Sequence, residues 1–393
     1  MEGWELMAKN SSLTRAKNAK NDEFYTQASD IENELKYYKP HFKNKVVYCN
    51  CDDPTSSQFW RYFYRSFKYL GLKKLISTHY NKDGNSSYAL IYEGGHDNAD
   101  DFNEGVKWVP LKGNGDFCSD ECVEYLKQSD VVVTNPPFSL ARVYVKQLMD
   151  FNKDFLIVGN KNWITYKEIF PLLMNRQMWI GQNNVKQFKQ PDGSIKKFGN
   201  VGWFTNMSLN KSTDQMVLWK KFNQDDYPAY DNYAAFEVDR VSDIPVDTEV
   251  KAEIDSENLD GWKKTYGNDL VVLDDDGKVA KVKIENPIFG VPITFLDKYN
   301  PSSKVKQHNL AKMFEILGIT KGPGWDDFNK LKVLRIFRNS QQYNKKGEPM
   351  KSNNINTGPA LHVDAIPDSS YYTVDGIDGY FVVKYARILI RQK

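Results

Sequence analysis

The sequence predicts an α/β protein built on a doubly wound, mostly parallel sheet, followed by a C-terminal mixed α+β region. Three observations predict it. Short apolar runs alternate with helical patterns from Lys45 to about residue 205, as strands joined by crossover helices do. Three consecutive valines in Asp130–Thr134 fit a strand covered on both faces. The chain has 393 residues, more than one hydrophobic core usually holds.

The elements follow in order. Residues 6–21 carry Lys9, Arg15, Lys17 and Lys20 with no acid, so 1–21 reads as a flexible basic arm. Ser29 and Glu32 have the spacing of a capping box and predict a helix with Ile31, Leu35 and Tyr38 on one side. Lys45–Tyr48 reads as a buried strand running into Asp53 and Pro54, an N-cap with a first-turn proline. Phe59, Phe63 and Phe67 then recur at helical spacing. Lys74–Ser77 is a second strand. Ser87–Glu93 and Val106–Leu111 flank a polar loop and predict a hairpin. A helix over Ser119–Gln128, the valine strand, a helix over Leu140–Met149 and a strand at Phe155–Val158 come next. Thr165 and Glu168 predict a further helix, against which Pro171 argues. The runs between 268 and 296 read as hairpins.

Composition narrows the function. Hydrophobic residues make up 40%, charged residues 26% and aromatics 14%, a soluble composition rich in rings that suit cores and base stacking. The net charge of +2 excludes a uniformly basic coat, yet charge is segregated. Residues 225–260 hold twelve acids and two bases, and 304–351 hold eleven bases and four acids. Such polarity presents one face to an anionic partner. No signal peptide or membrane span is legible, which makes a cytoplasmic location the default. Cys49, Cys51, Cys118 and Cys122 are spaced C-x-C and C-x3-C, unlike zinc knuckles, and read as buried thiols rather than a metal site. There is no P-loop.

The informative segment is Thr134-Asn135-Pro136-Pro137-Phe138, at the end of the valine strand. Two prolines fix the local path and offer no N–H. Asn135 supplies a side-chain carbonyl and Pro136 a backbone carbonyl, and two adjacent acceptors match the two hydrogens of a planar amino group. Phe138 offers a face for an aromatic ring. Such acceptors favour a tetrahedral nitrogen whose lone pair is free to attack an electrophilic methyl, by positioning and electrostatics alone. The carboxyl edge of an open α/β sheet is where ligands bind. Upstream, Gly113-Asn114-Gly115-Asp116-Phe117 allows close approach of a ligand, with Asp116 to accept from an adenine ring and Phe117 to pack on it. Phe24, Tyr25 and Thr26 precede the first helix and could close over the same ligand.

These motifs, with DEFYTQASDIENELKYY, KVVYCNCDDP, GLKKLI, SDVVVTNPPFSL, ITYKEIF, YPAYDNY, GVPITFLDKYNP and RILI, resemble the class I, Rossmann-like adenine-specific DNA methyltransferases, and more narrowly the EcoRI-type enzymes. The resemblance covers most of 22–205, then scattered blocks. It implies methyl transfer from S-adenosyl-L-methionine to the amino group of a flipped-out adenine in a particular duplex sequence, in a restriction-modification or DNA-protection setting. It places Asn135, Pro136, Pro137 and Phe138 in the catalytic motif. Asp116 and Phe117 fall in the cofactor-adenine motif, and Phe24, Tyr25 and Thr26 in the N-terminal cofactor motif. The chain departs from the class at VYCNCDDP, which has no glycine, and at Ser77-Thr78-His79, which lacks the acid for the ribose hydroxyls. Asp52 or Asp53 is the expected substitute. Trp203 or Phe204 stands where the class lines the target-base pocket, or packs the core.

The expected organisation is the arm at 1–21, an S-adenosyl-L-methionine-binding catalytic domain at 22–220, and a target-recognition region at 221–393 with an acidic insertion at about 225–286. Arg335, Arg338, Lys345 and Lys346 are the expected contacts to double-stranded DNA. No membrane and no obligatory protein partner are expected, and action as a monomer is compatible with one chain carrying both halves. Two other readings stay open: an RNA or protein-glutamine methyltransferase of the same fold, and a non-catalytic DNA-binding protein on a degenerate methyltransferase fold.

Overall fold

The computed structural model describes residues 25–51, 53–81, 87–96, 101–189, 194–197, 199–208, 218–230, 233–299, 301, 310–320, 333–335, 340–344, 346–350, 359–367, 370–383 and 386–393. The expected arm at 1–21, together with Phe24, Asp52, Arg338 and Lys345, lies outside them, as do the side chains of Tyr25 and Arg335. The chain divides into two units, Met1–Thr213 with Asn300–Lys306, and Asp214–Tyr299 with Gln307–Lys393. Among the described residues no helix is long and apolar enough to cross a membrane.

The first unit is organised by an eight-stranded sheet. Its strands are β1 (Val46–Cys49), β2 (Lys74–Thr78), β3 (Tyr88–Tyr92), β4 (Lys107–Pro110), β5 (Val131–Thr134), β6 (Asp154–Asn160), β7 (Trp179–Asn184) and β8 (Val201–Thr205), in the order β4-β3-β2-β1-β5-β6-β8-β7. β2, β1, β5 and β6 are parallel neighbours. β3 and β8 run against the rest. β1 and β5 are buried along their whole length, which is why they read as continuous apolar runs. The expected hairpin exists as β3 and β4, and it extends the main sheet through β2.

The helices that bear on the site are α1 (Ala28–Leu35), α2 (Gln58–Arg65), α3 (Asp120–Gln128), α4 (Ala141–Asp150) and α5 (Phe170–Met174). Ile31, Leu35 and the three phenylalanines 59, 63 and 67 are buried in one core cluster with Trp203. α2 stops at Arg65, and Phe67 opens a separate short helix, Phe67–Leu70.

Three expected helix starts are wrong, each for a local reason. Ser29 lies inside α1, because Tyr25 and Thr26 pair as a strand and leave Gln27 extended as the N-cap. Asp53 does not cap α2. Its carboxylate accepts from the Thr55 N–H and hydroxyl, and its carbonyl accepts from Ser56 and Ser57, which closes a turn. Ser57 is the cap, accepting from Phe59 and Trp60. Thr165 ends a 3-10 turn, Lys161–Thr165, rather than opening a helix. The helix begins at Phe170 with Pro171 in its first turn, where a missing N–H costs nothing.

Glu34 joins α1 to β7. Its buried carboxylate accepts from the Gln182 and Asn183 N–H groups, the Asn183 amide and the Tyr38 hydroxyl. Burial pushes its pKa up, against the lowering by these bonds.

The second unit is mostly β. One three-stranded antiparallel sheet has Val279–Glu285 between Glu249–Asp255 and Leu270–Asp275. In Glu249–Asp255, Val250, Ala252 and Ile254 face inward and Glu249, Lys251, Glu253 and Asp255 outward, so part of the acidic stretch is the wet face of a sheet. The expected hairpin is present at 270–285. GVPITFL is not one. Ile288–Pro292 pairs with Phe236–Glu237 and Arg387–Gln392, and Phe295–Lys298 is helical. A five-stranded sheet includes Val333–Arg335 and Ser340–Tyr343.

Candidate active site

The site is built at the carboxyl edge of β1, β5 and β6. β5 ends at Thr134, whose hydroxyl accepts from the Cys51 N–H at 3.2 Å, so the segment after β1 is tied to the start of Asn135-Pro136-Pro137-Phe138. The Asn135 amide oxygen is buried. The Pro137 carbonyl accepts from the Leu140 N–H at 2.9 Å, closing a 3-10 turn over Phe138–Leu140 that leads into α4. The prolines thus hold the chain between the strand end and the helix, and Phe138 is half-buried and packs against the core.

α4 carries the motif's neighbours. The Tyr144 hydroxyl donates to Asn50 Oδ1 at 2.5 Å. The Tyr144 ring meets Phe117 at 5.0 Å and 80°. Gln147 donates to the Phe117 carbonyl at 3.1 Å. One helix therefore links the Asn-Pro-Pro-Phe turn, the end of β1 and the glycine-rich loop. Phe117 is buried. Asp116 is half-buried, and its Oδ1 accepts from the Cys118 N–H at 2.8 Å. Glu121 accepts from the N–H groups of Lys112 and Gly113. Those bonds hold its carboxyl below the usual carboxylate range and fasten the loop to α3.

On the other side, Asp53 Oδ1 accepts from the Tyr88 hydroxyl at 3.4 Å. Burial first, and the Asp53 carboxylate second, push the Tyr88 phenol up to about 12. Tyr88 stacks on His79 at 4.8 Å and 10°. A carboxylate therefore reaches the edge of β2, where His79 follows the strand's last residue.

The N-terminal motif arrives through a small sheet. Tyr25 and Thr26 pair with Lys189 and Phe188, and Phe188 meets Phe138 at 6.4 Å and 77°. Trp203 and Phe204 are both buried and divide between the two faces of β8. Trp203 packs on Phe59 at 6.0 Å in the core, and Phe204 lies 5.3 Å from Trp163, which itself meets Phe138 at 5.8 Å.

The donor set fits a nucleoside ligand. Thr26 Oγ1, Asn50 Nδ2 and His79 Nδ1 are buried side-chain atoms with no hydrogen-bond partner among the described residues. Each lies beside a segment singled out in the sequence, and such atoms are costly unless a polar ligand satisfies them. Asn50, His79, Tyr88, Tyr144, Trp163 and Phe188 were missed by sequence reasoning. Only Asn50 and His79 carried a signal, as the residues that directly follow β1 and β2. Among the described residues no group of three or more His, Cys, Asp or Glu side chains is placed to hold a metal ion.

The proposed DNA contacts are in the second unit. Lys346 is exposed beside a turn in which its N–H donates to Asn344. Arg335 ends a strand paired with Pro359.

Comparison with known proteins adds the following. A family model described as "Adenine-specific methyltransferase EcoRI" matches residues 12–262. The chain is 36% identical over 369 residues to the Type II methyltransferase M.EcoRI of Escherichia coli, which covers 86% of this chain and 99% of that protein. It is 39% identical over 332 residues to the Type II methyltransferase M.MpnI of Mycoplasma pneumoniae, covering 79% and 86%. It is 33% identical over 348 residues to the Type II methyltransferase M.MgeORF184P of Mycoplasma genitalium, covering 82% and 94%. No solved structure matches it significantly.

Proposed function

The chain belongs to the EcoRI adenine-specific methyltransferase family, and from that premise we propose that it is a site-specific DNA methyltransferase that methylates the exocyclic amino group of a flipped-out adenine in duplex DNA. The observation that carries this reading is the Asn-Pro-Pro-Phe turn at the end of β5, with a buried amide oxygen at Asn135 and Phe138 opening the 3-10 turn that follows. S-adenosyl-L-methionine supplies an electrophilic methyl group. Asn135 Oδ1 and the Pro136 carbonyl accept from the two amino hydrogens, and Phe138 stacks on the base. The two acceptors would hold the amino nitrogen's lone pair toward the methyl group that the cofactor would supply, and the amino proton released on transfer would leave to solvent. The acceptors bind more strongly as positive charge grows on nitrogen, which is where their catalytic effect lies.

Asp116 and Phe117 would hold the cofactor's adenine. Thr26, with Phe24 and Tyr25, would close over it. Asp53, or Asp52, would meet its ribose hydroxyls, and Asn50 and His79 supply further polar atoms. In this reading 22–220 is the catalytic domain, doubly wound as in class I enzymes, and 221–393 recognises the target. The work is cytoplasmic, and the modification belongs to a restriction-modification system.

The test is a radiolabelled methyl-transfer assay on unmethylated duplex DNA, RNA and protein in parallel, with nucleoside analysis of the product. N6-methyladenine in DNA alone is expected. Label in RNA, protein or cytosine, or none at all, overturns the proposal. For the cofactor, Asp116→Ala is expected to weaken S-adenosylhomocysteine binding about tenfold, the loss of one hydrogen bond to a buried group, with non-specific DNA binding intact. Calorimetry reads the first and a gel-shift titration the second.

DNA recognition rests on charge. Neutralising Lys345 and Lys346 is expected to weaken binding to all duplexes alike and to lower the slope of log affinity against log salt by about one per lost contact. Replacing Arg335 or Arg338 is expected to relax specificity by about 1–3 kcal/mol at one base pair, since a planar fork bonds two acceptors of guanine. Salt titrations on target and scrambled duplexes check both. A larger effect from charge reversal within 225–260 would place the DNA face elsewhere.

A further inference from the structure

We infer that Trp163 is a positioning residue for methyl transfer: with Phe188 it clamps the Phe138 ring and so sets the plane on which the target base stacks. The inference rests on the reading of Phe138 as the stacking surface. Phe138 leads a three-residue 3-10 turn, and a side chain on such a turn has little of its own backbone around it. Its orientation comes instead from two buried rings, both nearly perpendicular to it. Trp163 lies 5.8 Å away at 87°, and Phe188 lies 6.4 Å away at 77°. Perpendicular aromatic contacts are directional, because ring edges are positive and faces negative. Two of them together fix a ring plane that neither would fix alone.

Both clamp residues come from rigid supports. Phe188 is fully buried on a strand paired on both sides, with Thr26 opposite it on one side and Lys196 on the other. Trp163 is buried on the 3-10 turn directly after β6, with Phe204 of β8 at 5.3 Å and 32°. The seat for the indole is made by Gly159 in β6. A Cβ at Gly159 would stand 2.2 Å from Cζ3 and 2.5 Å from Cε3 of Trp163. A glycine inside a strand weakens it and commonly marks a close approach. Here the close approach is that of the ring which holds Phe138.

The experiment is a double-mutant cycle on single-turnover methyl transfer to unmethylated genomic DNA, with Trp163→Ala and Phe138→Ala made singly and together. Misplacing a reacting group by about 1 Å costs on the order of a hundredfold in rate. Trp163→Ala alone is therefore expected to slow the chemical step about ten- to a hundredfold, with S-adenosylhomocysteine affinity by calorimetry within twofold of the parent. In the Phe138→Ala background the same change should cost less than twofold, because there is no ring left to position. Trp163→Phe, which keeps a ring edge in place, should restore most of the rate, and it carries the test if Trp163→Ala does not fold. Gly159→Ala should reproduce the slowing by pushing on the indole from behind. Equal losses in both backgrounds, or a fully active Trp163→Ala, overturn the inference and leave adenine methylation standing. A parent protein that transfers no methyl group to DNA overturns the underlying reading instead.

Discussion

Asn135→Ala is expected to lower turnover by about a hundred- to a thousandfold, while S-adenosylhomocysteine affinity changes by no more than a few-fold. The size follows from the role. A preorganised acceptor aimed at charge that develops in the transition state contributes roughly 3–4 kcal/mol, and Asn135 directly follows the central strand β5, where the prolines prevent the chain from relaxing around the loss. The loss should appear in the chemical step and not in DNA affinity, since a bond that strengthens only at the transition state leaves ground-state binding alone. Asn135→Asp keeps two acceptor lone pairs and should retain more activity than Asn135→Ala. Pre-steady-state kinetics on saturating DNA check all of this. Full turnover by Asn135→Ala would remove the amide from the mechanism.

The turn at Asn135-Pro136-Pro137-Phe138 was legible because its residues leave few alternatives. Two prolines after a buried strand fix a path, and the asparagine and phenylalanine on either side state a chemistry. The central strands were legible for a similar reason: Val131–Val133 have no wet face. The starts of α1 and α2 were not. The segment from Asp53 to Ser57 offers an aspartate, a threonine and two serines, each able to cap, and only the Tyr88 contact and the local turn decide that Asp53 is occupied elsewhere. Long-range partners were invisible for a different reason. Ile288–Pro292 reads as half of a local hairpin, yet its partner is Arg387–Gln392. The rings around Phe138 come from a 3-10 turn after β6 and a strand after β7, and nothing in their own sequence context marks them. Asp53 shows the intermediate case. It was expected near the ribose, and the structure brings it to the edge of β2 by way of Tyr88 and not by the strand that usually carries the acid.

Gly115→Ala is the second large effect, expected to weaken S-adenosylhomocysteine binding by about tenfold or more and to lower the melting temperature as well. Gly115 sits at φ +77, in the left-handed region that costs a residue with a Cβ on the order of 1–3 kcal/mol when surroundings enforce it. The surroundings do enforce it. A Cβ there would stand 1.9 Å from the carbonyl oxygen of His79, a backbone atom at the end of β2 that cannot swing aside as a side-chain tip could. The loop must therefore move, and what it carries next is Asp116 and Phe117. Phe117 is held by Tyr144 and Gln147 of α4, and Glu121 fastens the loop's beginning at Lys112 and Gly113. The loop is thus anchored on both sides of Gly115, and the displacement concentrates on Asp116. Thermal denaturation with and without S-adenosylhomocysteine separates the two consequences. The strain lowers the melting temperature of the free protein, whereas the displaced Asp116 shrinks the increment that the ligand adds. A variant whose ligand-induced increment equals that of the parent would show that the loop does not carry the cofactor.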